Sequence, residues 1–310
     1  MRVPLIDFSV YDENDPYSLR YLANCIDSTM SDIGFMSVTN LGLEWAQVEA
    51  VFATGRRFFH ADIGQKKRSA YLSPQENFGY QGICEENLDP TQPADIKESF
   101  TMRNVLKMAV SPGRWPDEEF RKTVVHFFDS ALQAAYRMQR VLAIALDQDK
   151  EFFVHYHSGE NITLRLLHYP AWDAGKVGSG QLGAGAHTDY GLITLLFQDA
   201  IGGLEVLDRD GIWKSVDPVP KAIVINCGDL LELWTNGRYR STLHRVQPKI
   251  SGKERFSMAM FVDPDTETPV KVLDSCITAD NPARFQPLTA GEHILQKIRA
   301  THKDRVFPGN

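Results

Sequence analysis

Two histidines and an aspartate in the second half of the chain have the side chains and the spacing of a metal site. His187 and Asp189 are two positions apart at the edge of a predicted strand that continues as Leu192–Phe197, and residues at this spacing in a strand project from one face. His244 lies near the end of a neighbouring predicted strand, after the turn Asn236-Gly237. Two imidazoles and one carboxylate form a facial triad that leaves open positions on Fe(II) for a bidentate co-substrate and O₂, whereas a structural zinc site is closed by a fourth ligand. The three residues therefore predict a metal centre of the non-haem iron type.

An arginine and a serine farther along the chain have the donors to hold a carboxylate. The run Arg255–Val262 alternates, so one face of the predicted strand carries Arg255, Ser257, Ala259 and Phe261, and the other face is entirely apolar. A guanidinium offers a planar fork of donors, and the serine hydroxyl adds one more. We expect this pair to form a carboxylate clamp, anchored in the core by the apolar face.

Helical periodicity dominates the first half of the chain. The predicted helices run from Pro16, after the N-cap Asp15, to about Ser31, over Trp45–Phe59, and from Pro116 onward. A short strand is expected over Gly34–Thr39. Residues 73–95 are predicted to form one long loop, and such loops often cover a binding site.

Short strands separated by turns must position the metal and carboxylate residues. The predicted strands after Asn161 are Leu164–Tyr169, Leu192–Phe197, Leu204–Leu207, Ala222–Asn226, Leu230–Trp234, Tyr239–Val246 and Arg255–Val262. A final helix is expected after the capping box Thr289–Glu292. Many short strands with tight turns are typical of a sandwich or a barrel.

Composition and charge exclude several classes of protein. The chain has 310 residues, 43% of them hydrophobic and 24% charged, which is typical of a globular protein. A formal net charge of −7 argues against a nucleic-acid partner. No apolar run reaches the roughly 18 residues of a membrane span, and the start lacks a signal-peptide pattern, so a cytoplasmic protein without a membrane partner is predicted. Four widely spaced cysteines predict neither a zinc knuckle nor a disulfide framework.

The metal and carboxylate motifs occur together with two segments near the start, Val3–Phe8 and Gly34-Phe35. In this combination the chain resembles the isopenicillin N synthase-like branch of the Fe(II)/2-oxoglutarate-dependent oxygenases. The resemblance implies a mainly β fold with flanking helices, whose core is a distorted double-stranded β-helix, or jelly roll. It implies a helix-rich N-terminal region over residues 1–110 and a core over 111–310, with a long helix beside the jelly roll, packed as one compact unit.

The same resemblance assigns the cofactor and its ligands. Fe(II) would be bound by His187, Asp189 and His244. With 2-oxoglutarate and O₂ as co-substrates, Arg255 and Ser257 would hold the distal carboxylate of 2-oxoglutarate, helped by Tyr169. Plant relatives often carry Asn two residues before that tyrosine, where this chain has Leu167.

Several segments around the predicted site are similar to those of the thymine-hydroxylating subgroup of this family. They are Asp95–Phe100, Ile162–Pro170, His187–Gly191, Ile193–Asp199 and Asn226–Leu230. This likeness implies that a flat substrate is contacted by Asn77, Arg165, Tyr190 and Phe261. The aromatic rings would stack on the substrate, while the asparagine and the arginine would hydrogen-bond to it.

The predicted activity is hydroxylation of a small molecule, with a pyrimidine such as thymine as the first candidate, and with release of succinate and CO₂. A desaturase or an oxidative cyclase on the same scaffold, with or without 2-oxoglutarate, remains an alternative. So does a hydrolase in which the triad binds Zn²⁺ and activates water, although a simple hydrolase would not need the carboxylate clamp. A non-enzymatic sensor of small metabolites is a third alternative. The sequence leaves monomer and weak dimer open.

Overall fold

The computed structural model describes residues 3–107, 110–171, 180–247 and 252–301. Its helices are α1 Pro16–Asp32, α2 Trp45–Phe59, α3 Ile63–Lys67, α4 Glu118–Ala145, α5 Asp229–Trp234 and α6 Ala290–Thr301. Its strands are β1 Leu5–Asp7, β2 Phe35–Thr39, β3 Phe78–Gln81, β4 Glu98–Arg103, β5 Thr163–Tyr169, β6 Ala184–His187, β7 Ile193–Gln198, β8 Leu204–Leu207, β9 Trp213–Ser215, β10 Ile223–Cys227, β11 His244–Val246, β12 Arg255–Val262, β13 Pro269–Val270 and β14 Leu288–Thr289. Among these residues, no helix is long and apolar enough to cross a membrane.

The strands form two main sheets and one short pair, β13 and β14. The larger sheet has eight strands in the order β1-β2-β10-β7-β12-β5-β4-β3, and the smaller has four in the order β6-β11-β8-β9. The chain crosses repeatedly between them, since β6 belongs to the small sheet, β7 to the large and β8 to the small again. Strands from the first 110 residues form both edges of the large sheet. This mainly β architecture with flanking helices confirms the predicted fold class.

Strand β12 shows how the large sheet separates core from site. Its even residues join the main hydrophobic core, to which α1, α2 and α4 also contribute. On the other face, called the inner face here, Ala259 and Phe261 pack with Tyr169 in a small separate cluster, the inner apolar cluster. Apolar burial on the first face holds the strand against the helices. The predicted alternation is therefore confirmed, and the residues of the second face turn away from the helical layer.

Local capping sets the ends of three helices. Asp15 accepts a hydrogen bond from the backbone of Tyr17 at the start of α1, with Pro16 at the first helical position. Asp117 caps α4 in the same way by accepting from the amide of Phe120. At α6 the Thr289 hydroxyl accepts from the amide of Glu292, whose carboxylate accepts from the amide of Thr289. The predicted helix starts are confirmed.

The prediction of a strand over Leu230–Trp234 is wrong, because these residues belong to helix α5. A run this short and apolar fits a buried helical turn as well as a strand, since periodicity cannot distinguish them. The predicted hairpin at Asn236-Gly237 is also wrong. Both residues have positive φ, as a hairpin turn would need, but Gly237 donates to the carbonyl of Glu232 and so ends the helix.

Three further boundaries differ from the prediction. The 73–95 segment is not one loop, since Phe78–Gln81 form β3 and pair with β4. Only His244–Val246 of the predicted strand Tyr239–Val246 is extended in a sheet. The strand that carries His187 does not continue as Leu192–Phe197, because β6 ends at His187 and β7 begins in the other sheet. Asp189 thus lies in the connection between the two sheets.

Candidate metal and co-substrate site

The three predicted metal ligands converge where the small sheet meets the connection to the large one. His187 and His244 lie directly opposite each other in the antiparallel pair β6 and β11, with ring centroids 4.3 Å apart. The Oδ1 atom of Asp189 lies 3.8 Å from His187 Nε2 and 3.7 Å from His244 Nε2. All three ligand atoms are within 4.8 Å of one another. Since two atoms bound to one ion at about 2.1 Å can be up to about 4.2 Å apart, the carboxylate can share an ion with either imidazole.

Hydrogen bonds orient each of the three side chains. The Nδ1 atom of His187 contacts the carbonyl of Gly185 at 2.7 Å, and Nδ1 of His244 contacts the carbonyl of Thr242 at 3.1 Å. A carbonyl can only accept, so each Nδ1 carries the proton and each Nε2 keeps a free lone pair. Such partners of metal-bound histidines fix the tautomer and the ring orientation. The two lone pairs are therefore available on the side of Asp189.

Asp189 is held by two polar residues that the sequence reasoning missed. Its Oδ2 atom accepts from Thr194 Oγ1 at 2.6 Å and from Asn226 Nδ2 at 2.7 Å, which leaves Oδ1 facing the imidazoles. Thr194 in β7 and Asn226 in β10 are paired in register, so both reach the same carboxylate. The available signal was a polar residue at an alternating position within an otherwise apolar strand.

The electrostatics of the cluster favour the protonation states that a metal needs. Burial, together with the neighbouring His244, lowers the pKa of His187 to about 3. Burial acts to raise the pKa of Asp189, but His244, His187 and the hydrogen bonds outweigh burial and hold it below its ordinary value. A neutral imidazole and an ionised carboxylate are the forms that bind metal ions. His187 and Asp189 thus fit Fe(II) without a change of protonation at neutral pH.

The carboxylate clamp is also assembled. Arg255, only 3% exposed, donates from one terminal nitrogen to Ser257 Oγ at 3.0 Å and from the other to Gln198 Oε1 at 3.4 Å. Its guanidinium lies over the ring of Tyr169, 4.7 Å from the centroid. Within the described ranges, no carboxylate pairs with Arg255, and its Nε atom has no hydrogen-bond partner.

A buried guanidinium without a counter-ion is costly unless an anion completes its surroundings. The Nε2 atom of Gln198 is likewise buried without a partner in the described part of the chain. Gln198 lies opposite Ser257 in the pair β7 and β12, a position that the sequence reasoning missed. These open donors fit the carboxylate of 2-oxoglutarate in chemistry and in burial. Leu167, which replaces the asparagine of plant relatives, lies opposite Ser257 on the other side and packs in the inner apolar cluster.

Two predicted substrate residues already have protein partners. One terminal nitrogen of Arg165 donates to Glu86 at 2.6 Å and to Ser99 at 2.8 Å. Burial acts to raise the pKa of Glu86, but Arg165 and then Lys97 hold it at about 2. Asn77 donates to Thr163 at 3.3 Å and accepts from the hydroxyl of Tyr71 at 3.2 Å.

Of the other two predicted substrate residues, Phe261 lies near this group through strand pairing, and Tyr190 lies beside a metal ligand. Phe261 is opposite Thr163, the partner of Asn77, and packs against the inner apolar cluster. Tyr190 follows Asp189 directly, and its carbonyl accepts from the amide of Leu230. The register of β5 and β12 thus places Asn77 near Phe261, and Arg165 lies two pairs farther along the sheet, opposite Ala259.

Glu86, Lys97 and Asp263 are polar residues of this region that the sequence reasoning did not single out. Lys97, which is 2% exposed, forms ion pairs with Asp95 and, at 3.6 Å, with Glu86. Asp263 follows Phe261 on the inner face, and burial, aided by the nearby Asp189, raises its pKa to about 7. Only the strand alternation pointed to Asp263, since it continues the series of odd residues of β12.

Comparison with known proteins places the chain in a family. Residues 149–264 match the 2OG-Fe(II) oxygenase superfamily, and residues 3–118 match the N-terminal domain of non-haem dioxygenases in morphine synthesis. A 2-oxoglutarate-Fe(II) type oxidoreductase of Aspergillus fumigatus is 32% identical over 96% of this chain and 93% of its own. Kihadalactone A synthase of Citrus sinensis is 27% identical over 98% of this chain and 95% of its own.

A solved structure agrees over the same length. The full-length thymine 7-hydroxylase of Neurospora crassa, in complex with 2-oxoglutarate and thymine, is 31% identical, covers 97% of both chains and has a TM-score of 0.87. The match spans 97% of this chain, and such neighbours imply the double-stranded β-helix core. The chain therefore belongs to the 2OG-Fe(II) oxygenase superfamily and is a 2-oxoglutarate-dependent non-haem iron dioxygenase.

Proposed function

We propose that this dioxygenase binds Fe(II) through His187, Asp189 and His244, and 2-oxoglutarate through Arg255, Ser257 and Tyr169. The observation that carries the proposal is the buried guanidinium of Arg255, which lacks a counter-ion in the described residues. When bound, the iron supplies O₂ activation coupled to oxidative decarboxylation of 2-oxoglutarate to succinate and CO₂. The protein residues bind the iron and 2-oxoglutarate, fix their orientation and exclude water.

We further propose that the substrate is a small, neutral, flat heterocycle, with a pyrimidine such as thymine as the first candidate. Arg165 and Lys97 each have carboxylate partners, so neither is a free cation for an acidic substrate. Arg165 Nε and the hydroxyl of Thr101, which lie opposite each other in β5 and β4, are buried without partners in the described chain. A ring that offers carbonyl oxygens would satisfy these donors, while Phe261 supplies an apolar wall.

This choice is supported by the likeness of the chain, at 31% identity, to the Neurospora enzyme whose structure contains thymine. The Citrus relative, named for the synthesis of kihadalactone A, shows that matches of full length also include enzymes with other named products. The four residues Asn77, Arg165, Tyr190 and Phe261 are therefore proposed as substrate contacts on chemical grounds: two polar donors and two aromatic rings suit a flat polar ring.

The experiment compares thymine with uracil, which lacks the methyl group, in the presence of Fe(II), 2-oxoglutarate and O₂. We expect succinate in equal amount to a thymine product that has gained one oxygen atom, and little product from uracil. A product that has lost two hydrogen atoms would instead identify a desaturase. Failure of every pyrimidine to stimulate succinate formation would refute the pyrimidine proposal, and product formation without 2-oxoglutarate would refute the co-substrate assignment.

Variants of the proposed contacts separate substrate binding from co-substrate chemistry. Phe261→Ala removes the aromatic wall, and Arg165→Met removes the polar donors while leaving a side chain of similar length. Both variants are expected to lose thymine turnover and to retain the slow succinate formation that occurs without substrate. Loss of that background activity as well would indicate damage to the iron or 2-oxoglutarate site.

A further inference from the structure

A second group of two histidines and one carboxylate lies outside the site described above. His60 caps the C-terminal end of α2, His168 is in β5, and Glu254 directly precedes β12. Because residues alternate along β5, His168 faces the helical layer, opposite to Tyr169. Its ring stacks on Phe256, with centroids 4.6 Å apart and an interplanar angle of 13°. The group is therefore separated from the proposed iron site by the sheet itself.

The three side chains meet at one carboxylate oxygen. Glu254 Oε2 lies 2.8 Å from His60 Nε2 and 3.0 Å from His168 Nε2, and the three potential ligand atoms are all within 4.8 Å of one another. Ligand atoms in a tetrahedral site with bonds of about 2.1 Å are about 3.4 Å apart. The side chain of His60 is 54% exposed and that of Glu254 37% exposed, so both have room to adjust their distances to those of metal ligands.

The buried part of the group orients His168 through a second carboxylate behind its ring. His168 Nδ1 contacts Glu98 Oε1 at 2.7 Å, and the other Glu98 oxygen accepts from Lys66 Nζ at 2.7 Å and from the hydroxyl of Tyr80. Burial acts to raise the pKa of Glu98, but the hydrogen bond from His168, with those from Lys66 and Tyr80, holds it below its usual value. Glu98 is thus an ionised acceptor, and His168 Nδ1 must carry a proton.

With Nδ1 directed at Glu98, the Nε2 atom of His168 is directed at a second carboxylate, that of Glu254. Burial acts to raise the pKa of Glu254, yet the hydrogen bond with His60 and the nearby His168 hold it below its ordinary value, so this group is also ionised. An imidazole between two ionised carboxylates needs a positive charge beside it, which either a proton on the ring or a bound divalent cation supplies. The chain Glu98–His168–metal is the carboxylate–histidine arrangement that supports metal ligands in proteins.

We propose that His60, His168 and Glu254 bind a divalent transition metal of the Zn²⁺ class, independently of the iron site. Two imidazoles and one carboxylate suit such ions better than Mg²⁺ or Ca²⁺, which prefer oxygen ligands. Solvent completes the coordination, because the site lies at the protein surface. The metal would join the end of α2 to β5 and β12 at the residues that precede Tyr169 and Arg255, and so would stabilise the strands that carry the clamp.

The test measures zinc per chain in tag-free, full-length protein that has been treated with a chelator and dialysed against a small excess of Zn²⁺. We expect two zinc ions in the wild type, one in His187→Ala, one in His60→Gln and none in the double variant. Glu254→Gln should match His60→Gln. His126→Gln is the matched control, since His126 is a surface histidine whose ring contacts Gln47, and it should retain two.

A spectroscopic and a stability measurement complete the test in the His187→Ala background, where the proposed iron site is disabled. Co²⁺ should give d–d absorption bands, and Zn²⁺ should raise the Tm; both effects should vanish when His60→Gln is added. Equal zinc content in the wild type and His60→Gln would overturn the proposal, as would metal retention by the double variant. Failure of the iron-site assignment would look different, because His187→Ala would then bind as much zinc as the wild type.

Discussion

Replacement of Arg255 by methionine should abolish most of the affinity for 2-oxoglutarate without destabilising the fold. Arg255 is 3% exposed and uses one terminal nitrogen on Ser257, with no carboxylate partner in the described residues. Loss of one partner from a buried charged contact costs about 2–5 kcal/mol, which corresponds to a roughly 30- to 4,000-fold rise in Kd. The unfolding free energy should change by less than about 1 kcal/mol or increase, because the substitution removes an unpaired buried charge.

Anaerobic calorimetry with Mn(II) in place of Fe(II) measures the Kd without turnover, and urea unfolding measures stability. Arg140→Met is a matched control, since Arg140 is a half-buried arginine of α4 that pairs with Glu151 at 2.6 Å. It should lose up to about 1 kcal/mol of stability and leave the Kd unchanged. An Arg255→Met variant with an unchanged Kd and a large loss of stability would refute the reasoning, because Arg255 would then be a structural residue.

Three other substitutions test the support of Asp189, a buried histidine away from the site, and the loop that carries the metal ligand. Asn226→Ala removes a donor to Asp189 at 2.7 Å and should weaken metal binding about 10- to 100-fold in a Co²⁺ titration, whereas an unchanged affinity would show that Thr194 suffices. Burial lowers the pKa of His157 to about 4, so between about pH 6.5 and pH 4 the unfolded state binds a proton that the folded state does not bind. In urea titrations over this interval, the stability of the wild type should therefore fall by about 3 kcal/mol more than that of His157→Gln. Gly191→Ala should cost about 1–3 kcal/mol in thermal unfolding and disturb the metal loop, because a Cβ there would lie 1.7 Å from Asp263 Oδ1; a fully stable variant would indicate that Asp263 moves freely.

Much of the fold could be predicted because local signals and burial agree. Asp15 and Pro16 define the start of α1, and the strict alternation of Arg255–Val262 matches β12 at both ends. The metal triad was also predictable, since its residue types and the two-residue spacing of His187 and Asp189 limit the chemistry. The triad does come together in the structure, where it pairs His187 with His244 across two strands.

The errors in the predicted secondary structure arose where one short sequence pattern is compatible with two structures. The apolar run Leu230–Trp234 satisfies a buried helix or a buried strand, and only its surroundings decide between them. Positive φ at Asn236-Gly237 suits a hairpin turn and a helix end equally. The partners of Arg165 could not be foreseen either, because Glu86 is far away in sequence and meets it only through the packing of the sheet.

The central claim is that the triad and Arg255 together bind Fe(II) and 2-oxoglutarate. The most direct test is an anaerobic titration of the metal-free protein with Fe(II) and 2-oxoglutarate, in which the visible metal-to-ligand charge-transfer band is recorded. We expect a band in the wild type, no band in His187→Ala, and a band in Arg255→Met that appears only at much higher 2-oxoglutarate concentrations. An undiminished band in His187→Ala, or no band in the wild type, would show that these residues do not bind Fe(II) and 2-oxoglutarate as proposed.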